Sequence, residues 1–179
     1  MKQSVCQFPS SRISVVNRQR RVPVDVRFYR RLLHNLLSLT RRSSAVVGLT
    51  FVNDRQMRRI NYRHRRIDRT TDVLAFPAQP LKIRASDGGS GGRGGLSPRS
   101  HQPERVIVLG DVVISIDTAR RQARVAGAGP RDECRRLLIH GYLHLLGYDH
   151  ERSRREAVRM RRLERRLETR LIGGARRPR

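Results

Sequence analysis

The segment from His140 to His150 constrains the fold of this chain more than any other stretch. It holds three of the six histidines, spaced His-x3-His-x5-His. Around it, Cys134 to Leu146 is apolar on nearly every side of a helix, and after Arg136 its only strongly polar side chains are His140 and His144. A helix that is apolar all round belongs in a protein interior, and buried imidazoles need partners there. His140 and His144 stand one turn apart on one helix face. Gly147 accepts the left-handed conformation that ends helices, so the chain can turn and carry His150 back toward them. Three converging imidazoles can hold one zinc ion and leave a fourth position for water. That is the layout of a catalytic site rather than a closed structural one.

The same spacing overlaps the zinc-protease signature His-Glu-x-x-His-x-x-Gly-x-x-His. The ligand positions and the glycine agree, but Gly141 stands where the protease carries its glutamate. That glutamate activates the attacking water, so peptide hydrolysis by this route is not expected. A closed, structural zinc site is the other alternative, with Asp149 as the fourth ligand.

Charge narrows the choice of partner. The chain carries 40 Lys and Arg against 15 Asp and Glu, a net charge of +25, and its pI is about 11.9. Such a field concentrates polyanions, with nucleic acid the natural partner. Lys2 and Lys82 are the only lysines, and arginine suits bidentate phosphate contacts. A compositional drift from Lys to Arg would explain the kind of cation but not its excess over acids. Cys6 and Cys134 suggest no disulfide framework, which fits a cytoplasmic protein. No apolar run approaches membrane-spanning length, and no secretory signal is expected at the basic N-terminus.

At 179 residues the chain reads as one domain over about 22–172. Residues 1–21 are basic, Ser-containing and free of Asp and Glu, so a loose N-terminus is expected, with a transit peptide as the alternative. Helices are predicted from Asp25 to Leu39, after Asn53-Asp54, from Asp117 as cap to Val125, from Pro130 into the histidine segment, and from the capping-box pattern Ser153 to Glu156 up to Gly173-Gly174. In the last helix, Arg161 with Glu164 and Arg165 with Glu168 suggest solvated ion pairs. Ala45–Val52 and Val106–Ser115 read as strands, the second kinked at Gly110 or split there into a pair. Asn61 to Asp72 reads as an arginine-dense loop, followed by a short extended piece, Val73 to Phe76, stopped by Pro77. The Gly-rich stretch at about 84–104 cannot offset its ordering entropy and reads as a flexible insertion. A disordered tail is expected over 173–179.

Three blocks together resemble a known family. Residues 140–150 match His-Gly-x-Leu-His-Leu-x-Gly-[Tyr/Phe]-x-His throughout. Asn61 to Pro77 resembles Asn-x-x-Tyr-Arg-x-x-Asp-x-x-Thr-Asp-Val-Leu-Ser-Phe-Pro, with His64 in place of Tyr and Ala75 in place of Ser. Leu109-Gly110-Asp111 leads into an apolar strand as the third block does. The chain thus resembles the YbeY family of endoribonucleases, ribosomal RNA maturation factors. The resemblance implies an α/β fold, with a small mixed β-sheet packed with helices around a central buried helix bearing the histidines. It implies one zinc ion on His140, His144 and His150, with Arg65 as the functional arginine. A permanent cation near the metal suits holding a scissile phosphate. Asp111 could orient a ligating histidine through a hydrogen bond, or cap a turn. The expected activity is single-strand-specific RNA cleavage in ribosomal RNA maturation, at the 3′ end of the small-subunit RNA, and in ribosome quality control. The expected partners are that RNA and the small ribosomal subunit. The rival from a different class is a non-catalytic, RNA-binding assembly factor with a structural zinc.

Overall fold

The computed structural model describes residues 12–78 and 107–174. These run β1 (Ile13–Asn17), α1 (Val26–Leu39), β2 (Val46–Val52), α2 (Asp54–Arg65), β3 (Val73–Pro77), β4 (Val108–Ser115), α3 (Ile116–Val125), α4 (Pro130–Leu145) and α5 (Arg154–Gly174). The strands form one sheet in the order β1-β2-β4-β3. β1, β2 and β4 are parallel, and β3 runs antiparallel along β4. This is the mixed sheet packed with helices that the family resemblance implies.

Helix α4 is the centre of the larger layer. Leu137, Leu138, Ile139, Tyr142 and Leu143 are at most 1% exposed, which confirms the expectation of a buried histidine-bearing helix. Each leucine withdrawn from water to this degree stabilises the fold by roughly 1.5–3 kcal/mol. α4 packs on β3 and β4 and is flanked by α3 and α5. α1 adds Leu33 and Leu36, and α5 adds Met160, Leu167 and Leu171, to the same core. A smaller cluster of Val52, Met57, Leu74 and Val113 joins α2 to the sheet. Among the described residues no helix is long and apolar enough to cross a membrane.

Local chemistry sets the helix starts. The Asp25 carboxylate accepts from the Phe28 amide at 2.9 Å, and Asn53 and Gln56 form a reciprocal capping box. α3 is capped by Ser115, not by the expected Asp117. Asp117 sits in the first turn and accepts from the Asp54 amide at 3.0 Å.

Several expectations need correction. Part of the supposedly loose N-terminus is strand β1, whose Ile13 and Val15 face the core. Its stabilising partner is β2, more than thirty residues away in register, so no local signal marks it. The arginine-dense loop begins later than expected, because Asn61 to Arg65 continue α2. Asn61 is buried, and its Nδ2 donates to the Arg69 carbonyl at 2.8 Å. Arg66 then ends the helix in the left-handed conformation, with φ 60°. Pro77 closes β3 from within the strand. β4 is one strand with a β-bulge: Val46 pairs with Val108, but Val47 pairs with Gly110. Gly110 has φ 121°, and a Cβ there would meet the Phe76 carbonyl oxygen at 2.0 Å. Gly173 and Gly174 form the end of α5 rather than the start of a tail. The Gly-rich insertion at about 84–104 and residues 175–179 lie outside the described residues.

Candidate metal centre

The end of α4 builds the site. Leu146 is the C-cap, and the Tyr148 amide donates to the Leu143 carbonyl at 3.1 Å. The Gly147 amide donates to the His144 carbonyl at 3.0 Å. This pair of bonds is a Schellman motif, which requires a left-handed residue after the cap. Gly147 supplies it with φ 87°. The turn carries His150 back over the helix, as the glycine predicts. The His150 ring centroid lies 5.1 Å from that of His140 and 5.2 Å from that of His144.

One ring nitrogen from each histidine lies within 4.8 Å of the others. The Nε2 atoms of His140 and His144 are 3.2 Å apart. Two imidazole nitrogens on one tetrahedral ion sit about 3.3 Å apart for bonds of about 2.05 Å, so the donor set fits a metal ion. Burial lowers the pKa of His144, and the neighbouring His140 and His150 lower it further. That favours the neutral imidazole, the form that ligates a metal.

His140 is held by a residue that sequence reasoning missed. Its Nδ1 lies 2.7 Å from Glu164 Oε1 on α5. A carboxylate there requires the proton on Nδ1, which leaves the Nε2 lone pair facing the other histidines. The His140 hydrogen bond holds the Glu164 carboxyl below its usual pKa even though burial works the other way. In sequence, Glu164 reads as an ion-pair partner of Arg161. Only the packing of α5 on α4 brings it to His140. Glu168 likewise approaches Arg135 on α4, at 3.9 Å.

The structure places Asp111 away from the histidines. Val112 packs against Gly141 of α4, whereas Asp111, its neighbour in β4, is exposed and paired with Gly48 in β2. Successive strand residues point to opposite faces, so Asp111 faces away from the histidine helix. Its carboxylate occupies the space over Gly48, where a Cβ would meet Oδ1 at 1.9 Å. Asp149, considered as a fourth ligand, accepts from the Glu151 amide at 3.0 Å and lies 3.3 Å from Arg152.

Gly141 has a packing role. A Cβ there would lie 2.8 Å from Val112 Cγ1 and 3.2 Å from Val73 Cγ2. The glycine lets α4 approach the sheet closely, and any side chain in the position where the proteases carry their base would force Val112 to shift.

The histidines open into a cleft of about 540 Å³ that Arg65, Thr71, Asp72 and Val73 also line. Arg65 is the last residue of α2. The loop after it is tied down at four points. Arg58 pairs with Asp68 through two bonds of 2.7 and 2.6 Å, Asn61 holds Arg69, and Thr70 donates to Asp54 at 3.3 Å. Gln122 of α3 donates to Asp72 at 3.0 Å. Arg63 and Arg66 line a different groove, so position separates Arg65 from its neighbours where composition could not.

The family model described as Endoribonuclease YbeY matches residues 14–172. Among proteins named Endoribonuclease YbeY, that of Geobacter sulfurreducens is 35% identical over 157 residues, covering 87% of this chain and 93% of the relative. That of Leptospira interrogans is 42% identical, covering 64% and 78%. That of Myxococcus xanthus is 45% identical over 70% of this chain, but the match spans only 36% of the relative. The solution structure of TM1509 from Thermotoga maritima shares the fold, with a TM-score of 0.59 at 20% identity and coverage of 92% of this chain and 91% of that one. From the family match and these relatives, the chain belongs to the Endoribonuclease YbeY family.

Proposed function

We propose that the protein is a zinc-dependent endoribonuclease acting on single-stranded RNA in ribosomal RNA maturation, including 3′-end processing of the small-subunit RNA and ribosome quality control. Its partners on this reading are that RNA and the small ribosomal subunit, and its setting is the cytoplasm. The observation that carries the reading is the shared cleft: an arginine outside any ion pair among the described residues opens onto the three-histidine donor set.

His140, His144 and His150 would hold the zinc ion, which would supply Lewis-acid polarisation of a phosphoryl oxygen and acidify water. Arg65 binds the scissile phosphate through its guanidinium and offsets the charge that grows on the phosphoryl oxygens. Glu164 keeps the Nδ1 proton on His140 and fixes the ring plane. Edge strand β3 and the loop before it shape the wall opposite α4. Loops and single strands are the substrates whose bases such a cleft can reach. The donor cluster consists of the three histidines without Asp149, which lines the same cleft but has its carboxylate engaged by the Glu151 amide and Arg152, and this favours an open fourth position over a closed structural zinc.

The test is cleavage of a labelled single-stranded RNA before chelation, after chelation and after zinc is restored, with His144→Ala alongside. Loss on chelation, recovery with zinc and no activity in the variant are expected. Equal cleavage by wild type and variant would overturn the proposal. A 2′-deoxy residue at the cleaved position then separates attack by water, which tolerates it, from attack by the 2′-hydroxyl, which does not.

A further inference from the structure

A second basic groove lies on the other side of α2. Arg18, Arg59, Tyr62, Arg63, His64 and Arg66 line it, in a volume of about 570 Å³. Arg59, Tyr62 and Arg63 fall at i, i+3 and i+4, so they form one helical stripe, and Arg66, the left-handed cap, extends the lining past the helix end. No ion pair to Arg18, Arg59, Arg63 or Arg66 occurs among the described residues. Arg58, beside Arg59 on the same helix, does pair, with Asp68. Basic groups in a last helical turn complement the helix dipole, which would account for Arg63. It does not account for Arg59, a turn earlier, or for Arg18, which follows β1. Arg59 and Arg63 repel each other along the helix, and an anion between them reverses that cost.

Two rings stand among these charges. Tyr62 is 52% exposed, and its side chain is part of the groove lining. His64 is tilted over Phe76 with centroids 4.8 Å apart. Unpaired cations interleaved with an exposed aromatic are the makings of a single-strand platform, in which phosphates follow the charges and a base stacks on the ring. A double helix or a base-free polyanion would leave the ring without a role. Arg65 and Arg66 are sequence neighbours, yet one lines the metal cleft and the other this groove. A strand held at Arg65 therefore needs only to cross the end of α2 to reach the stripe.

We propose that this groove is a second RNA subsite, which holds the single strand beyond the nucleotide bound at the metal cleft through Arg18, Arg59, Arg63 and Arg66, with one base on Tyr62. The subsite rests on the reading of the protein as acting on single-stranded RNA.

The test uses fluorescence anisotropy of the full chain with a labelled oligouridylate under chelation, so that binding is read without cleavage. Arg59→Ala/Arg63→Ala is compared with Arg27→Ala/Arg30→Ala, which removes the same charge from the exposed side of α1. The groove variant is expected to reduce the slope of log affinity against log salt by about 1.4, at about 0.7 for each phosphate no longer neutralised. The α1 variant leaves the slope within error of wild type. Tyr62→Ala weakens oligouridylate binding at least about fivefold and leaves binding of a heparin fragment unchanged. All of these residues are exposed, and circular dichroism checks folding. Groove and α1 variants that behave alike, or a Tyr62→Ala variant that binds as tightly as wild type, overturn the subsite while wild-type cleavage leaves the proposed function standing. A wild type that binds no oligouridylate overturns both.

Discussion

Glu164 on α5 and His140 on α4 meet through a 2.7 Å hydrogen bond between Oε1 and Nδ1. This contact couples α5 to the histidine-bearing helix. Removing such a carboxylate behind a ligating histidine costs about 10–100-fold in metal affinity. Glu164→Ala should show that loss in competition with a chromophoric chelator, and Glu164→Gln a smaller one, because its amide oxygen can still accept. Wild-type affinity in Glu164→Ala would mean that His140 needs no such support.

Asp111 offers the matching contrast. It lies on the face of β4 away from α4, so Asp111→Ala should leave zinc affinity within about twofold of wild type, against the about 10–100-fold expected when a true partner of a ligand is removed. The same chelator competition checks it. A tenfold loss would require Asp111 to act on the histidines through the sheet.

Gly141→Ala should destabilise the protein by about 1–3 kcal/mol, the usual cost of overpacking a dense contact. The added methyl meets Val112 Cγ1 at 2.8 Å. Val112→Ala removes that atom, so the double variant should lose less than the sum of the two single losses. Urea denaturation of the four proteins measures the coupling, and simple additivity would show that the sheet shifts to accept the methyl.

Asp54 links pH to stability. Burial pushes its carboxyl pKa up, but hydrogen bonds from Ser115, Arg121 and Thr118 outweigh that and leave it below the ordinary 3.8. A carboxyl depressed on folding contributes stability that is present above its unfolded pKa and lost as pH falls through its folded one. Asp54→Asn should therefore be less stable than wild type at neutral pH by about 1–3 kcal/mol. The gap should narrow as pH falls from about 5 toward about 3. Urea midpoints across that range check it, and a gap that stays constant would place the stabilisation elsewhere.

The three histidines of the candidate metal centre are legible in the sequence because helical spacing and one glycine determine their meeting. His140 and His144 are local neighbours, and Gly147 dictates the turn that returns His150. Glu164 is not legible: an Arg three residues before it offers an equally good local partner, and only helix packing decides between them. The part of Asp111 depends on which face of β4 it occupies, and that follows only once Val112 is seen against Gly141. Strand β1 is hidden because its partner is distant and its flanks are basic. Arg65 is picked out in the sequence by family resemblance alone, and the fold supplies the physical ground by ending α2 at the cleft.

The central claim is that Arg65 and the three histidines act on one phosphodiester. Its most direct test is Arg65→Ala, measured for both zinc content and cleavage of single-stranded RNA. The account predicts wild-type zinc with cleavage reduced about a hundredfold or more, as for other transition-state donors when they are removed. A variant that keeps its zinc and cleaves at the wild-type rate would contradict it.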